Sequence, residues 1–109
     1  IWFATKSSEF MFNQKPVTEI QNSEDLITNF WSDILFLNSP SDTSLPDDKP
    51  SKVIERILKA SSFKLNWVLD PFARAGGIGK ISKRMGRRFI GFEIDKDKLI
   101  LAMKQIDSE

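Results

Sequence analysis

Apolar residues in this chain fall into short runs with two different periods, and the C-terminal half is the more regular. Val53, Ile54, Ile57 and Leu58 recur at i, i+1, i+4 and i+5, one face of a helix. Pro50 suits the first helical turn, where its missing N–H is not needed, so a helix of about three turns is predicted to end near Ser61-Ser62. Trp67-Val68-Leu69 is a short, wholly apolar run that closes on Asp70, the pattern of a parallel strand buried on both faces. After a cluster of glycines, Ile78, Ile81 and Met85 recur at i, i+3 and i+7, and Gly86 is placed as the residue that ends that helix. Residues 88–94, RFIGFEI, read as a second buried strand. Asp95 then caps a last helix whose predicted apolar face is Leu99, Ile100, Met103 and Ile106.

Before Pro50 the pattern is weaker. Residues 1–6 alternate as a strand does, and Glu9-Phe10-Met11-Phe12 reads as a second extended piece. Pro16 forbids an uninterrupted helix in that region. Residues 24–37 are apolar without a single period, a mixed segment, and residues 38–48 concentrate Ser, Pro and Asp as a surface linker does. The chain therefore divides into a strand and mixed segment over 1–37, a linker over 38–48, and a helix-strand-loop-helix-strand-helix unit over 49–109. A strand-helix-strand crossover of this length gives two adjacent parallel strands, half of a Rossmann-like unit. Such a half-unit does not cover both faces of its own sheet, so further strands are expected.

Composition narrows the chemistry. With 109 residues, 40% hydrophobic and 28% charged, the chain is one small domain or part of a larger one. The absence of Met at position 1 and the strand-like start favour a fragment. No apolar run approaches the roughly 18 residues of a membrane span, and no stretch combines a basic start, an apolar middle and a small-residue cleavage site. The expectation is a soluble protein, cytoplasmic or nucleoid-associated and not secreted. The chain has no Cys and no His, which removes thiolate nucleophiles, imidazole bases and structural zinc. Net charge is only +1, yet Lys80, Lys83, Arg84, Arg87 and Arg88 crowd one stretch. A solvated helix face is the ordinary reading of such a run, and a phosphate-facing patch the alternative.

In open parallel sheets, ligands bind at the carboxyl ends of the strands. Two acids mark those ends here, Asp70 and Glu93, separated by about the 20 residues that part the glycine turn from the ribose-binding acid in dinucleotide folds. A nucleoside is the implied ligand class. Phosphate loops fit poorly: GxxxxGK[ST] would need Gly at Arg74 and a hydroxyl at Ile81, and GxGxxG would need Gly at Ser82. A ligand with ribose and no phosphate fits better. Each acid also has a plain structural reading, Asp70 as the cap of the following turn and Glu93 as an exposed strand-end residue. Phe72 and Ile94 could likewise be ordinary core.

Asp70-Pro71-Phe72-Ala73, the glycine loop and GRRFIGFEID resemble the S-adenosyl-L-methionine (SAM) binding region of amino-group DNA methyltransferases, the N6-adenine/N4-cytosine family. Lys49-Pro50 and the helix after it resemble the segment just upstream of that region, and IWFATKSSEFMFN and FWSDILFL resemble earlier parts of the same family. The resemblance implies a partial α/β, Rossmann-like SAM-dependent methyltransferase fold, with parallel strands 67–70 and 88–94 and flanking helices. Its order of parts resembles the permuted class, in which the catalytic half comes first. In that class an Asp, Asn or Ser followed by Pro-Pro and an aromatic residue carries catalysis, and this chain contains no Pro-Pro. No catalytic residue is therefore expected here, and the catalytic half would lie on the same or another chain.

By the same resemblance, Lys49 and Pro50 lie near the methionine end of SAM. The backbone from Asp70 and Pro71 through Phe72, Ala73, Arg74, Gly76 and Gly77 approaches the methionine and ribose. Glu93 accepts the ribose hydroxyls, and Ile94 packs on adenine. Glycines in the loop are expected to leave room for the ligand. DNA is the implied partner, with the target base flipped out, restriction-modification the implied setting, and a homo-oligomer left open. Absence of Cys argues against C5-cytosine methylation. Arg74 departs from the family pattern, standing where the first loop Gly would be, as do Gly77 and Ile78 in place of two threonines. A guanidinium near the SAM sulfonium costs about 1 kcal/mol at 4 Å in water, whereas pairing with the SAM carboxylate would be favourable. Two functions follow: the SAM-binding part of a DNA methyltransferase, or a degenerate, non-catalytic relative kept for binding or assembly.

Overall fold

The computed structural model describes residues 4–13 and 51–109. The mixed segment 24–37, the linker 38–48, Lys49 and Pro50 lie outside those residues. Five elements follow one another: α1 (Ser51–Ser61), β1 (Trp67–Asp70), α2 (Gly77–Arg84), β2 (Arg88–Gly91) and α3 (Lys96–Asp107). β1 and β2 pair in parallel, with Trp67 opposite Arg88 and Leu69 opposite Ile90, as the crossover reading predicts.

Each helix boundary has a local cause. α1 stops where two serines turn their hydroxyls back on the helix: Ser61 Oγ donates to Ile57 O at 2.5 Å and Ser62 Oγ to Leu58 O at 2.6 Å. α2 ends at Gly86, whose φ of +76° suits a residue without a side chain. α3 begins as predicted, with the Asp95 carboxylate accepting the amides of Asp97 and Lys98 at 3.0 and 3.1 Å. No helix among the described residues is long and apolar enough to cross a membrane.

The core is small: Ile54 and Leu58 of α1 and Ile81 of α2 form it, with Val68, Ile78 and Met85 packed against them. In α1, Ile54 and Leu58 are buried as predicted, but Ile57 is exposed, and Arg56 and Ala60 on nearly the opposite side of the helix are buried as well. The buried face of α3 also differs. Ala102 is its buried residue, while Leu99, Ile100 and Met103 remain exposed. The cause is how closely α2 and α3 approach. A side chain on Gly76 would meet Ala102 Cα at 2.9 Å, and one on Gly79 would meet Ile106 Cδ1 at 2.6 Å. The helices touch through a glycine seam that selects Ala102 and Ile106.

Three strand expectations are corrected. β2 ends at Gly91, not Ile94, because β1 turns after Asp70, whose carboxylate takes the Phe72 amide that would have continued the ladder; Phe92 N still donates to Asp70 O at 3.0 Å. β1 is not buried on both faces, since its alternate residues Trp67 and Leu69 are exposed. Residues 4–6 form no strand, nor do residues 9–12. Short-range bonds bend the start of the chain instead, from Thr5 Oγ1 to Ser7 O at 2.8 Å and from Ser7 Oγ to Glu9 O at 3.0 Å. This segment is tied to the fold where Asn13 N donates to Ala60 O at 2.7 Å.

Candidate functional site

β1 delivers Asp70 to the carboxyl edge of the sheet, and the chain turns there. The Asp70 side chain is buried and accepts Phe72 N at 3.0 Å through Oδ1, so the turn-capping role is realised. The loop then crosses to the neighbouring strand end: Ala73 N donates to Phe92 O at 2.9 Å. Gly76 N returns to Ala73 O at 2.8 Å, which closes the loop onto the residue that caps the start of α2. The backbone of residues 71–76 is thereby held beside residues 92–93. Phe92 supplies this join through both its amide and its carbonyl, a role not singled out in the sequence. The register of the parallel pair, one turn of chain past Asp70, is the signal that would have revealed it.

Glu93 lies two residues beyond β2, half-buried, and its Oε1 accepts Asp95 N at 2.9 Å. Both acids expected at the strand ends are thus present at that edge, each already oriented by one backbone amide. Around them are apolar surfaces without cover: Phe72 is 80% exposed and Ile94 wholly exposed, so neither is core. Pro71 is exposed, Ala73 is buried, and Gly77 opens α2.

Two loop residues are left-handed. Gly76 sits at φ +86° and Arg74 at φ +49°, and only the first is free of a steric penalty there. Arg74 occupies a left-handed position for which glycine is the natural residue. The residue is exposed and is not without a partner. The reason for Gly76 is also changed. Its missing side chain makes room for Ala102 of α3, a packing demand separate from any ligand.

The basic run has a structural account. Lys80 pairs with Glu109 at 3.6 Å, Lys83 Nζ donates to Ile106 O at 2.9 Å, and Arg84 pairs with Glu55. Arg87 donates to Ser62 Oγ and to the carbonyls of Leu58, Ser62 and Met85. Arg88 lies over the Trp67 ring, 5.5 Å from its centroid. These contacts tie the run to neighbouring elements and give it a structural role. Among the described residues no group of acids is placed to hold a metal ion.

The chain is 42% identical over 64 residues to the type II methyltransferase M2.DpnII of Streptococcus pneumoniae, covering 59% of this chain and 24% of that protein. It is 31% identical over 103 residues to M2.LlaDCHI of Lactococcus lactis subsp. cremoris, covering 94% of this chain and 38% of that protein. The chain therefore spans well under half the length of these relatives. Among solved structures, the M1.HpyAVI–SAM complex superposes with a TM-score of 0.66 at 24% identity, over 91% of this chain and 45% of that one, which establishes the partial methyltransferase-like α/β fold. The family model described as DNA methylase, of N6/N4 type, matches residues 1–104, and the chain belongs to that family.

Proposed function

We propose that this chain is the SAM-binding portion of a DNA methyltransferase that transfers a methyl group to the exocyclic amine of adenine (N6) or cytosine (N4). The observation that carries the reading is the join between the two strand ends. Hydrogen bonds from Phe92 N to Asp70 O and from Ala73 N to Phe92 O set the loop and Glu93 side by side. The donor set suits SAM better than a nucleotide phosphate. Two carboxylates at the loop repel phosphate, whereas Glu93 can accept ribose hydroxyls and Phe72 and Ile94 offer apolar surface to the methionine and adenine. Lys49 and Pro50, which precede α1, are assigned to the methionine end by resemblance alone.

SAM, when bound, supplies the electrophilic methyl group. This chain's share is to hold and orient it, and catalysis belongs to a half carried on the same or another polypeptide. The target amine would be brought to the site by flipping the base out of duplex DNA.

Calorimetry with SAM tests the reading. The expected outcome is one-to-one binding that exceeds ATP binding and weakens about tenfold in Glu93→Gln, the scale of one charge-assisted hydrogen bond. ATP binding tighter than SAM binding would overturn it. A second reading, a non-catalytic methyltransferase-like protein with a binding or assembly role, is favoured by Arg74 at φ +49°. It predicts no SAM binding until Arg74→Gly is introduced.

A further inference from the structure

α3 touches both parts of the candidate site. Its start is set by Glu93, whose Oε1 accepts Asp95 N at 2.9 Å. Two turns on, about 10 Å along the axis, Ala102 lies against the backbone of Gly76, the residue that joins the loop to α2. The approach is between backbones: a side chain on Gly76 would meet Ala102 Cα and Cβ at 2.9 Å and Ala102 O at 3.1 Å. Ala102 is 3% exposed, so an atom added there has no open space to enter. The helix is also held in place. Its far end is tied to α2 where Lys83 Nζ donates to Ile106 O at 2.9 Å and Lys80 pairs with Glu109. On the loop side, Gly76 N donates to Ala73 O at 2.8 Å and Ala73 N to Phe92 O at 2.9 Å, so a shift of Gly76 passes to the residues beside Glu93. A Cβ on Gly91 would meet Ala73 Cβ at 2.9 Å, which leaves the loop no slack toward the sheet.

We infer that Ala102 is a positioning residue for the cofactor: with α3 as the spacer, its size sets the gap between the loop backbone and Glu93. The inference rests on the reading that the loop and Glu93 hold SAM. A single molecule that meets the loop through its methionine and Glu93 through its ribose needs that gap to match its own length, and a misfit of about 1 Å is enough to lose one of the contacts. Alanine is the size that fits. Glycine would loosen the contact and weaken the helix, and a β-branched side chain would drive Gly76 and its loop away from α3. The packing of Gly76 exists without a ligand, yet it fixes where the ligand's loop lies.

The test compares the affinities of SAM and of 5′-methylthioadenosine, which keeps the adenine, ribose and sulfur but lacks the amino acid, by calorimetry on the chain and its variants. Ala102→Val should weaken SAM about tenfold and 5′-methylthioadenosine by less than about threefold. Ile106→Ala opens the same helix seam at Gly79; it should lower the urea midpoint and leave the ratio of the two affinities as it was. Ala102→Cys adds one atom and serves where the Val variant loses its helical circular dichroism, with a fall in the ratio of about threefold. An unchanged ratio in the Ala102 variants overturns the inference. So does an equal fall in Ile106→Ala, which would make the stability of the seam the cause. Amide exchange gives a second readout: in Ala102→Val, protection at Ala73 and Gly76 should drop while that at Leu65 and Arg88 holds, and a uniform drop counts against the inference. Absence of SAM binding by the unsubstituted chain sinks the cofactor reading and this one with it, whereas SAM binding with an unchanged ratio sinks this one alone.

Discussion

The two ends of the β1–β2 pair are built in opposite ways. At the amino end, one side chain ties three segments: Arg87 donates to Leu58 O at 3.3 Å and Ser62 O at 2.7 Å at the close of α1, and to Met85 O at 2.8 Å at the close of α2. Backbone bonds reinforce it, from Leu65 N to Gly86 O at 2.8 Å and from Arg88 N to Asn66 O at 2.9 Å. The carboxyl end has no comparable clamp among the described residues. Its loop is held by backbone amides and one carboxylate, with Phe72 and Ile94 left in water. The difference separates two tasks. One end holds the fold, so the other can leave polar groups and apolar surface available to a ligand.

Substitutions at five positions test that division. The largest effect belongs to Gly76→Val, which places a branched side chain at φ +86° and drives it into Ala102; about 3 kcal/mol of stability should be lost, read from the urea midpoint. That outcome would show that the carboxyl-end loop still answers to packing at its helix start. Next is Arg87→Met, which leaves the carbonyls of Leu58, Ser62 and Met85 without their donor. It should cost about 2 kcal/mol, with Arg87→Lys recovering less than half because an ammonium does not reproduce the planar fork. SAM affinity, measured well below the unfolding midpoint, should not change. A tenfold fall would break the comparison by linking the amino end to the ligand.

Smaller effects sharpen it. Ser82 is fully buried and its hydroxyl has no hydrogen-bond partner, so Ser82→Ala should raise stability by about 1 kcal/mol in the same urea assay. The smallest and most discriminating pair is Leu65→Gly and Arg74→Gly, which relieve the two non-glycine left-handed residues, one at each end. Each should stabilise by at most about 1 kcal/mol, the steric relief being partly offset by a more flexible unfolded chain. Only Arg74→Gly should alter SAM affinity. An equal change from Leu65→Gly would show that the two ends are not independent.

Much of this was legible in the sequence, for identifiable reasons. α2, the Gly86 stop and the Asp95 cap follow from local chemistry, and β1 and β2 from short apolar runs beside turn signals. The edge that carries the candidate site was also legible as a strand end, because Asp70 and Glu93 terminate those runs. What escaped depends on neighbours distant in sequence. Nothing local distinguishes Gly76 as a helix contact from Gly76 as ligand space; the difference lies in Ala102, 26 positions away. The buried face of α3 was misassigned for the same reason, since hydrophobicity points to Leu99 and Met103 while close approach selects Ala102. Arg87 read as one charge among five, and only the fold gathers its acceptors. The end of β2 was placed too late because the limit comes from the turn that Asp70 caps on the other strand.

The bond from Asp95 N to Glu93 Oε1 has a dynamic consequence. The carboxylate assigned to the ribose also holds the residue that starts α3, so ligand contact and helix initiation share one side chain. Hydrogen exchange at the amides of Asp95, Asp97 and Lys98 is therefore an intrinsic reporter of that edge. Their protection should rise together when a ligand immobilises Glu93, without any change in the amides at the amino end.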